Sequence, residues 1–245
     1  MHARIVRFIG ILPILMLSGQ AVAGEPVTLR TADRVDVYGT LSQARAHNDK
    51  VLLLFHQARA SRHEYDPLIA RFNRLGYDTL AIDQRSGGDL FGGRNRTVQA
   101  LGRSTGYLEA APDLDAALAW ARDRHYTKIV AVGSSYSSAL VILLAARHPP
   151  GLTAIASFSP GEYFDDKDLI KNAAAKVTVP FYITTDPAEA GNVAEVLSKA
   201  HGDHITDYKP EAGVHGASTL VEARDPAGYA ANLDSFEGFL RKLGR

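Results

Sequence analysis

The sequence contains no cysteine, which excludes disulfides, thiolate metal sites and a cysteine nucleophile. It has no net charge. Its 27 lysines and arginines face 27 aspartates and glutamates, a balance that argues against a nucleic-acid binder, whose domain usually carries a basic stripe. No apolar run reaches the roughly twenty residues that a bilayer-spanning helix needs. The phosphate-cradling patterns G-x-x-x-x-G-K-[ST] and G-x-G-x-x-G are absent, as are internal repeats and low-complexity tracts. What is present is a chain of 245 residues, 46% hydrophobic and 22% charged. That composition lies outside the disordered range and suits a buried core without staples.

The first 23 residues read as an export signal. Arg4 and Arg7 form a basic start, Phe8 to Leu17 is apolar, and Ala21-Val22-Ala23 is a small-residue cleavage site before Gly24. Residues 24–245 are then one mature domain, slightly acidic once the two arginines are gone. Such a chain enters an oxidising compartment with no disulfide to form. The expected location is periplasmic or secreted.

Val27–Thr31 and Val35–Leu41 read as two short strands around Ala32-Asp33. Lys50–His56, Lys128–Val132 and Ala154–Phe158 are near-continuous apolar runs, with weaker versions at Asp78–Asp83, Pro180–Thr184 and Ile205–Lys209. Strands buried on both faces have this character, which points to a parallel sheet. Helical spacing appears in Tyr65–Leu75, in Leu114–Ala121 after Asp113 as expected N-cap, and in Ala139–Arg147, Asn192–Ala200 and Tyr229–Leu243. Strands alternating with helices imply a doubly wound, mostly parallel α/β sheet opened by an antiparallel hairpin. The interval Gln84–Pro112, rich in glycine and arginine, reads as one long surface loop near a site.

Lys128–Ala146 carries the chemical signal. A buried strand runs into Gly133-Ser134-Ser135-Tyr136-Ser137 and a helix follows at once. In a strand–G-x-S-x-small–helix turn the central serine is held in a strained conformation above the sheet edge. Its neighbours two before and two after must be small, because strand and helix pass close together. Ser135 occupies the centre. A serine hydroxyl needs a base, and the chain order of such turns places an acid and then a late histidine after it. His215, in a glycine-flanked loop before the last helix, fits. His125, His148 and His201 lie at helix ends, and His201 with His204 lacks the carboxylate that a metal site would add. Asp186 and Glu189 both follow the strand after Pro180, and the residues alone leave the acid open between them. The backbone N–H groups of Gln57 and Tyr136 are the expected oxyanion donors, and His56 reads as a side chain that organises its loop.

These pieces resemble an α/β-hydrolase, most closely the compact dienelactone-hydrolase-like branch. The matching segments are LLLFHQ at 52–57, LAIDQRSGG at 80–88, VGSSYSSA at 132–139, VPFYITTD at 179–186 and GVHGAS at 213–218. They occur in family order across nearly all of residues 24–245. In that family the acid usually stands about nine residues after the proline opening its strand, which implies Glu189, with Asp186 as fallback. The sequence departs from the family pattern at Ser137 and Gln57, where glycine is usual, and in an acid loop without G-x-x-D. The interval Ser159–Val179 has room for one helix and no cap domain.

The resulting expectation is an exported serine hydrolase that cleaves an ester-type bond of a small molecule through Ser135, His215 and Glu189, without metal or cofactor. A peptidase or amidase on the same fold, and a binding protein that keeps the fold without turnover, are the alternatives.

Overall fold

The structure, a computed structural model, describes residues 24–45 and 47–244. The expected export segment, residues 1–23, lies outside them. Among the described residues no helix is long and apolar enough to cross a membrane.

Eight strands form one sheet: β1 (Glu25–Arg30), β2 (Asp36–Ser42), β3 (Lys50–Phe55), β4 (Asp78–Ile82), β5 (Lys128–Ser134), β6 (Leu152–Phe158), β7 (Phe181–Thr184) and β8 (Ile205–Tyr208). Their spatial order is β1-β2-β4-β3-β5-β6-β7-β8. The β1–β2 hairpin pairs antiparallel, and β2 pairs antiparallel with β4. From β4 to β8 every pairing is parallel. This is the doubly wound, mostly parallel arrangement, opened by an antiparallel hairpin, that the alternation of elements implied.

Parallel strands need crossovers, and helices supply them on both faces. The helices are α1 (Asp66–Arg74), α2 (Arg96–Leu101), α3 (Ala111–Asp123), α4 (Tyr136–Ala145), α5 (Leu169–Ala174), α6 (Ala190–Val196) and α7 (Tyr229–Leu243). Successive residues of a strand point to opposite faces, so β3 feeds two cores at once. Val51, Leu53 and Phe55 belong to one continuous core with Leu114 and Leu118 of α3, Leu140 and Ile142 of α4, and Val193 of α6. Leu52 and Leu54 pack with Leu68 and Phe72 of α1 and Phe236 and Leu240 of α7. That double duty is why the run at 50–55 is continuously apolar rather than alternating. α4 is buried on nearly all sides, as its uniformly apolar sequence requires.

Several boundaries move. β5 extends to Ser134 and α4 starts at Tyr136, so strand and helix are separated by Ser135 alone. α6 ends at Val196 and one 3-10 turn, Leu197–Lys199, carries the chain on. α3 begins at Ala111 with Pro112 in its first turn, where a missing N–H costs nothing. Asp113 is therefore not the N-cap. It is fully buried and accepts from Arg85 N and Arg85 Nε, both at 2.8 Å.

The stretch 84–112 also differs from a plain surface loop. It contains α2, capped by the Asn95 side chain accepting from Val98 N at 2.8 Å and ended by Gly102 in the left-handed conformation. Its root is pinned. Gln84 N donates to His56 Nε2 at 2.9 Å, Asn95 Nδ2 donates to Gln84 O at 2.8 Å, and Arg62 N and Arg96 N each donate to Asp83 at 2.9 Å. Arg85 additionally pairs with Asp33 on the β1–β2 turn.

Candidate active site

The elbow is built by close approach. Gly133 is the penultimate residue of β5, and a Cβ there would overlap the carbonyl of Ser137 and the Cα of Ser138. Only glycine allows the helix to start so near the strand. Ser135 sits at φ 58°, ψ −125°, a region that costs a non-glycine residue of order 1–3 kcal/mol and persists where surroundings impose it. Ser135 N donates to Phe158 O on β6 at 2.8 Å, and its carbonyl accepts from Ser138 N at 2.9 Å.

Ser137, where the family usually has glycine, contributes a hydroxyl to the same turn. Its Oγ accepts from Ser134 N at 2.9 Å and donates to Phe55 O at the end of β3 at 2.7 Å. The departure thus stitches the elbow to the neighbouring strand rather than opening it.

His215 and Glu189 come together from the loops that follow the neighbouring parallel strands β8 and β7. Glu189 ends the 3-10 turn Pro187–Glu189 after β7, and His215 lies in the loop before the 3-10 turn Gly216–Leu220. His215 Nδ1 is 2.9 Å from both Glu189 Oε1 and Oε2. Asp186 is engaged elsewhere: its carboxylate caps the 3-10 turn, accepting from Ala188 N at 2.8 Å and Glu189 N at 3.2 Å. Donor atoms of all three residues lie within 4.8 Å of one another. Burial raises the Glu189 carboxyl, but the His215 hydrogen bond and charge, with Thr185 and Ser159, outweigh it and hold it below the usual carboxylate range.

Ser159 is a participant that sequence reading missed. It sits at φ 56° just beyond β6. Its Oγ accepts from Gly216 N at 2.9 Å and lies 3.1 Å from Thr185 Oγ1, tying the histidine loop to the acid loop. Nothing in Phe158-Ser159-Pro160 marks such a role, since a serine before proline is an ordinary turn opener.

Ser135 Oγ makes no hydrogen bond to the His215 ring in this structure. Catalytic contacts are commonly long before substrate arrives and tighten in the complex. The hydroxyl instead neighbours the phenol of Tyr163, whose pKa burial pushes up to about 12 while the Ser135 hydrogen bond pulls the other way. Tyr163 itself donates to Ser159 O at 2.7 Å.

The oxyanion side departs from the sequence reading. Tyr136 N is the first amide of α4, free of an intrahelical acceptor as helix N-termini are, and its ring stacks on Tyr107 at 4.6 Å. Gln57 N, however, is not open. It donates to Glu64 Oε2 at 2.7 Å, so the expected donor is committed to a buried carboxylate. The next amide, Ala58 N, has no acceptor among the described residues. His56 has the loop-organising place expected of it. It accepts from Gln84 N through Nε2, so its Nδ1 carries the hydrogen and donates to Gln57 O at 2.8 Å. Burial lowers its pKa, which favours that neutral form.

A groove of about 530 Å³ lies along the 84–112 segment, lined by Arg59, Ser86, Asp89, Leu90, Ser104 and Tyr107, the last being the ring that stacks on Tyr136. Its floor is rigid. Leu90 N donates to Arg59 O at 2.8 Å and Gly88 N to Ala60 O at 2.7 Å, and a Cβ on Gly88 would lie 2.7 Å from the Arg59 carbonyl.

A family model described as serine aminopeptidase, S33, matches residues 46–219. The chain belongs to this family. It is a serine hydrolase with the α/β-hydrolase fold. Among solved structures, this S33-family chain is similar to the Pyrococcus furiosus esterase Pf2001, with 17% identity, coverage of 90% of this chain and 91% of that one, and a TM-score of 0.69. It is also similar to a dienelactone hydrolase from Anabaena variabilis, at 17% identity, 88% and 95% coverage and a TM-score of 0.64. A thermostable carboxyl esterase from Bacillus coagulans shares 11% identity over 90% of this chain and 99% of its own, with a TM-score of 0.68. No curated protein matches the sequence. In the S33-family chain, as in the sequence reading, a single helix, α5, occupies the interval between β6 and β7.

Proposed function

We propose that this hydrolase is exported and cleaves carboxylic esters of small molecules through Ser135, His215 and Glu189. The observation that carries the reading is the strained elbow at Ser135 together with His215 Nδ1 at 2.9 Å from both Glu189 oxygens. The parallel pairing of β7 and β8 brings the two loops to one sheet edge, and the bidentate contact of the ring with the carboxylate goes beyond that proximity.

The chemistry follows from those positions. With Nδ1–H held by Glu189, His215 presents a basic Nε2. That nitrogen takes the Ser135 proton as Oγ attacks the ester carbonyl, and Glu189 keeps its charge and stabilises the imidazolium. The carbonyl oxygen gains negative charge, which Tyr136 N–H and Ala58 N–H bind, aided by the α4 N-terminus. His215 gives its proton to the leaving alcohol, and the acyl group stays on Ser135. Water, deprotonated by the same ring, attacks the acyl carbon and restores the free serine. Each oxyanion donor contributes about 3 kcal/mol in comparable sites.

Export rests on residues 1–23 alone, with their basic, apolar and small-residue regions in order. The ester reading draws support from structural neighbours whose own descriptions are esterases. A second reading, hydrolysis of an N-terminal peptide bond, is favoured by the family description. A matched panel separates them: p-nitrophenyl acetate and butyrate against alanine and leucine p-nitroanilides. The proposal expects ester turnover at least a hundredfold faster in kcat/KM. Preferential anilide turnover overturns it in favour of the aminopeptidase reading.

A further inference from the structure

Glu64 is a glutamate with no exposure to solvent, placed where its sequence context gives no cue. It lies in the 3-10 turn Arg62–Tyr65 between β3 and α1. Oε2 accepts from Gln57 N at 2.7 Å, and Oε1 accepts from Ser134 Oγ at 2.7 Å. Ser134 Oγ in turn accepts from Ala217 N at 2.8 Å. Ala217 stands two residues after His215, Ser134 one residue before Ser135, and Gln57 one residue before Ala58. A single carboxylate therefore links the oxyanion loop, the nucleophile elbow and the histidine loop. The Glu64 carbonyl accepts from Arg224 Nη1 at 2.8 Å, which fixes the turn that carries it.

We propose that Glu64 is a positioning residue that sets these three loops in register, and that the site loses activity when its carboxylate is protonated. This rests on the ester-hydrolase reading and adds a residue that the reading does not use.

The physical case begins with cost. An unpaired buried charge is expensive, so an acid is kept in such a place only when its oxygens are filled. Here each oxygen accepts a hydrogen bond, and both donors belong to loops that must agree to within fractions of an ångström for acyl transfer. Ionised, Glu64 accepts both bonds as drawn. Protonated, it carries a hydrogen of its own, and only Ser134 Oγ can take it, since Gln57 N–H is a donor with no lone pair. The Ser134 hydrogen must then turn to another acceptor. Gln57 Oε1 is buried and unpartnered. A Cβ on Gly216 would lie 2.5 Å from Ser134 Oγ and 2.9 Å from Gln57 Oε1, so both oxygens fill the space that a side chain would take at the residue next to His215. A change in the hydroxyl's direction is felt at the histidine loop.

The charged and titratable groups around Glu64 come from four segments: Tyr65 on its own turn, Tyr136 at the start of α4, His215 in its loop and Arg224 beyond the 3-10 turn Gly216–Leu220. Burial raises the Glu64 carboxyl to about 7, with Gln57, Ser134, Arg224 and His215 pulling it back. The switch consequently falls in the range where a hydrolase works.

The test uses the full chain and p-nitrophenyl acetate across pH 5.5–9, with wild type, Glu64→Gln, Ser134→Ala and the double variant, each normalised to correctly folded protein by circular dichroism. Wild type is expected to lose activity on the acid side, with one proton of that limb taken up by Glu64. Glu64→Gln is expected to lower kcat about tenfold with KM within twofold, and to remove one proton from the acid limb. Ser134→Ala removes the same link from its other end, keeps the result interpretable if Glu64→Gln folds poorly, and is expected to match it. The double variant is expected to be no worse than either single. A Glu64→Gln enzyme within twofold of wild type in kcat, with an unchanged acid limb, overturns the proposal and leaves the ester reading intact. Absence of turnover in wild type overturns both.

Discussion

Gln57 donates its backbone N–H to Glu64 at 2.7 Å, although the turn after this strand is where an oxyanion donor is expected. The consequence is that the amide at Ala58, one residue on, is the first free amide of that loop among the described residues. Replacing Ala58 by proline removes that donor while leaving the Glu64 bond to Gln57 in place. The expected result is a fall in kcat of about a hundredfold, the range seen when one oxyanion donor is lost. Pre-steady-state kinetics with p-nitrophenyl acetate locates the loss in acylation.

The two acids of the loop after β7 have different bonds and so make different predictions. Glu189→Gln leaves the shape but removes the charge that orients the ring and stabilises imidazolium. It is expected to cost about a thousandfold or more in kcat. Asp186→Asn keeps an acceptor for Ala188 N, and is expected to change kcat less than threefold with a stability loss of at most about 1 kcal/mol. Steady-state kinetics and urea melts on the pair measure both.

Ser137 tests the elbow's extra stitch. Changing it to glycine restores the usual family residue, yet it leaves the buried Ser134 N–H without its partner, while the Phe55 carbonyl keeps the Tyr65 hydroxyl. Orphaning buried groups costs about 1–3 kcal/mol each. The expected outcome is a lower unfolding midpoint in Ser137→Gly, with no compensating gain in kcat. A rise in stability contradicts the structure of this turn.

The pH dependence of stability carries a sign. Burial raises the Glu64 carboxyl from 4.5 to about 7 in the folded chain. Between those values the native state holds more protons than the unfolded one, so this group's contribution to stability falls as pH rises from about 4.5 to about 7. Glu64→Gln lacks that loss. Its stability relative to wild type is expected to rise by up to about 3 kcal/mol across the window. Urea unfolding of both proteins at pH 4.5 and 7.5 measures it, and a constant difference refutes it.

Much of the fold was legible in the sequence because burial on two faces leaves a strong trace. The run Val51–Phe55 had to lie between two helical layers, and Gly133 before a buried helix had to mark a tight turn. His215 stood out for its glycine-flanked loop and its late position. Other features leave no trace in a single sequence. Glu64 precedes a helix, where an exposed acid is also favoured by the dipole, so nothing separated a buried keystone from a solvated residue. α2 is six residues long, too short for apolar periodicity to register against six glycines nearby. Asp113 looked like a cap because caps and buried ion-pair partners draw on the same residue types, and Arg85, which claims it, is 28 positions away. The Gln57 amide failed as a donor for a tertiary reason: its acceptor arrives from a different turn.

The central claim is that Ser135 is the nucleophile and His215 its base. The most direct measurement is labelling of folded protein with a fluorophosphonate probe, followed by peptide mapping of the modified residue. A single adduct on Ser135 is expected, lost in Ser135→Ala and slowed at least a hundredfold in His215→Ala. An adduct on Ser134, Ser137 or Ser138, or labelling of Ser135 at an unchanged rate without His215, contradicts it.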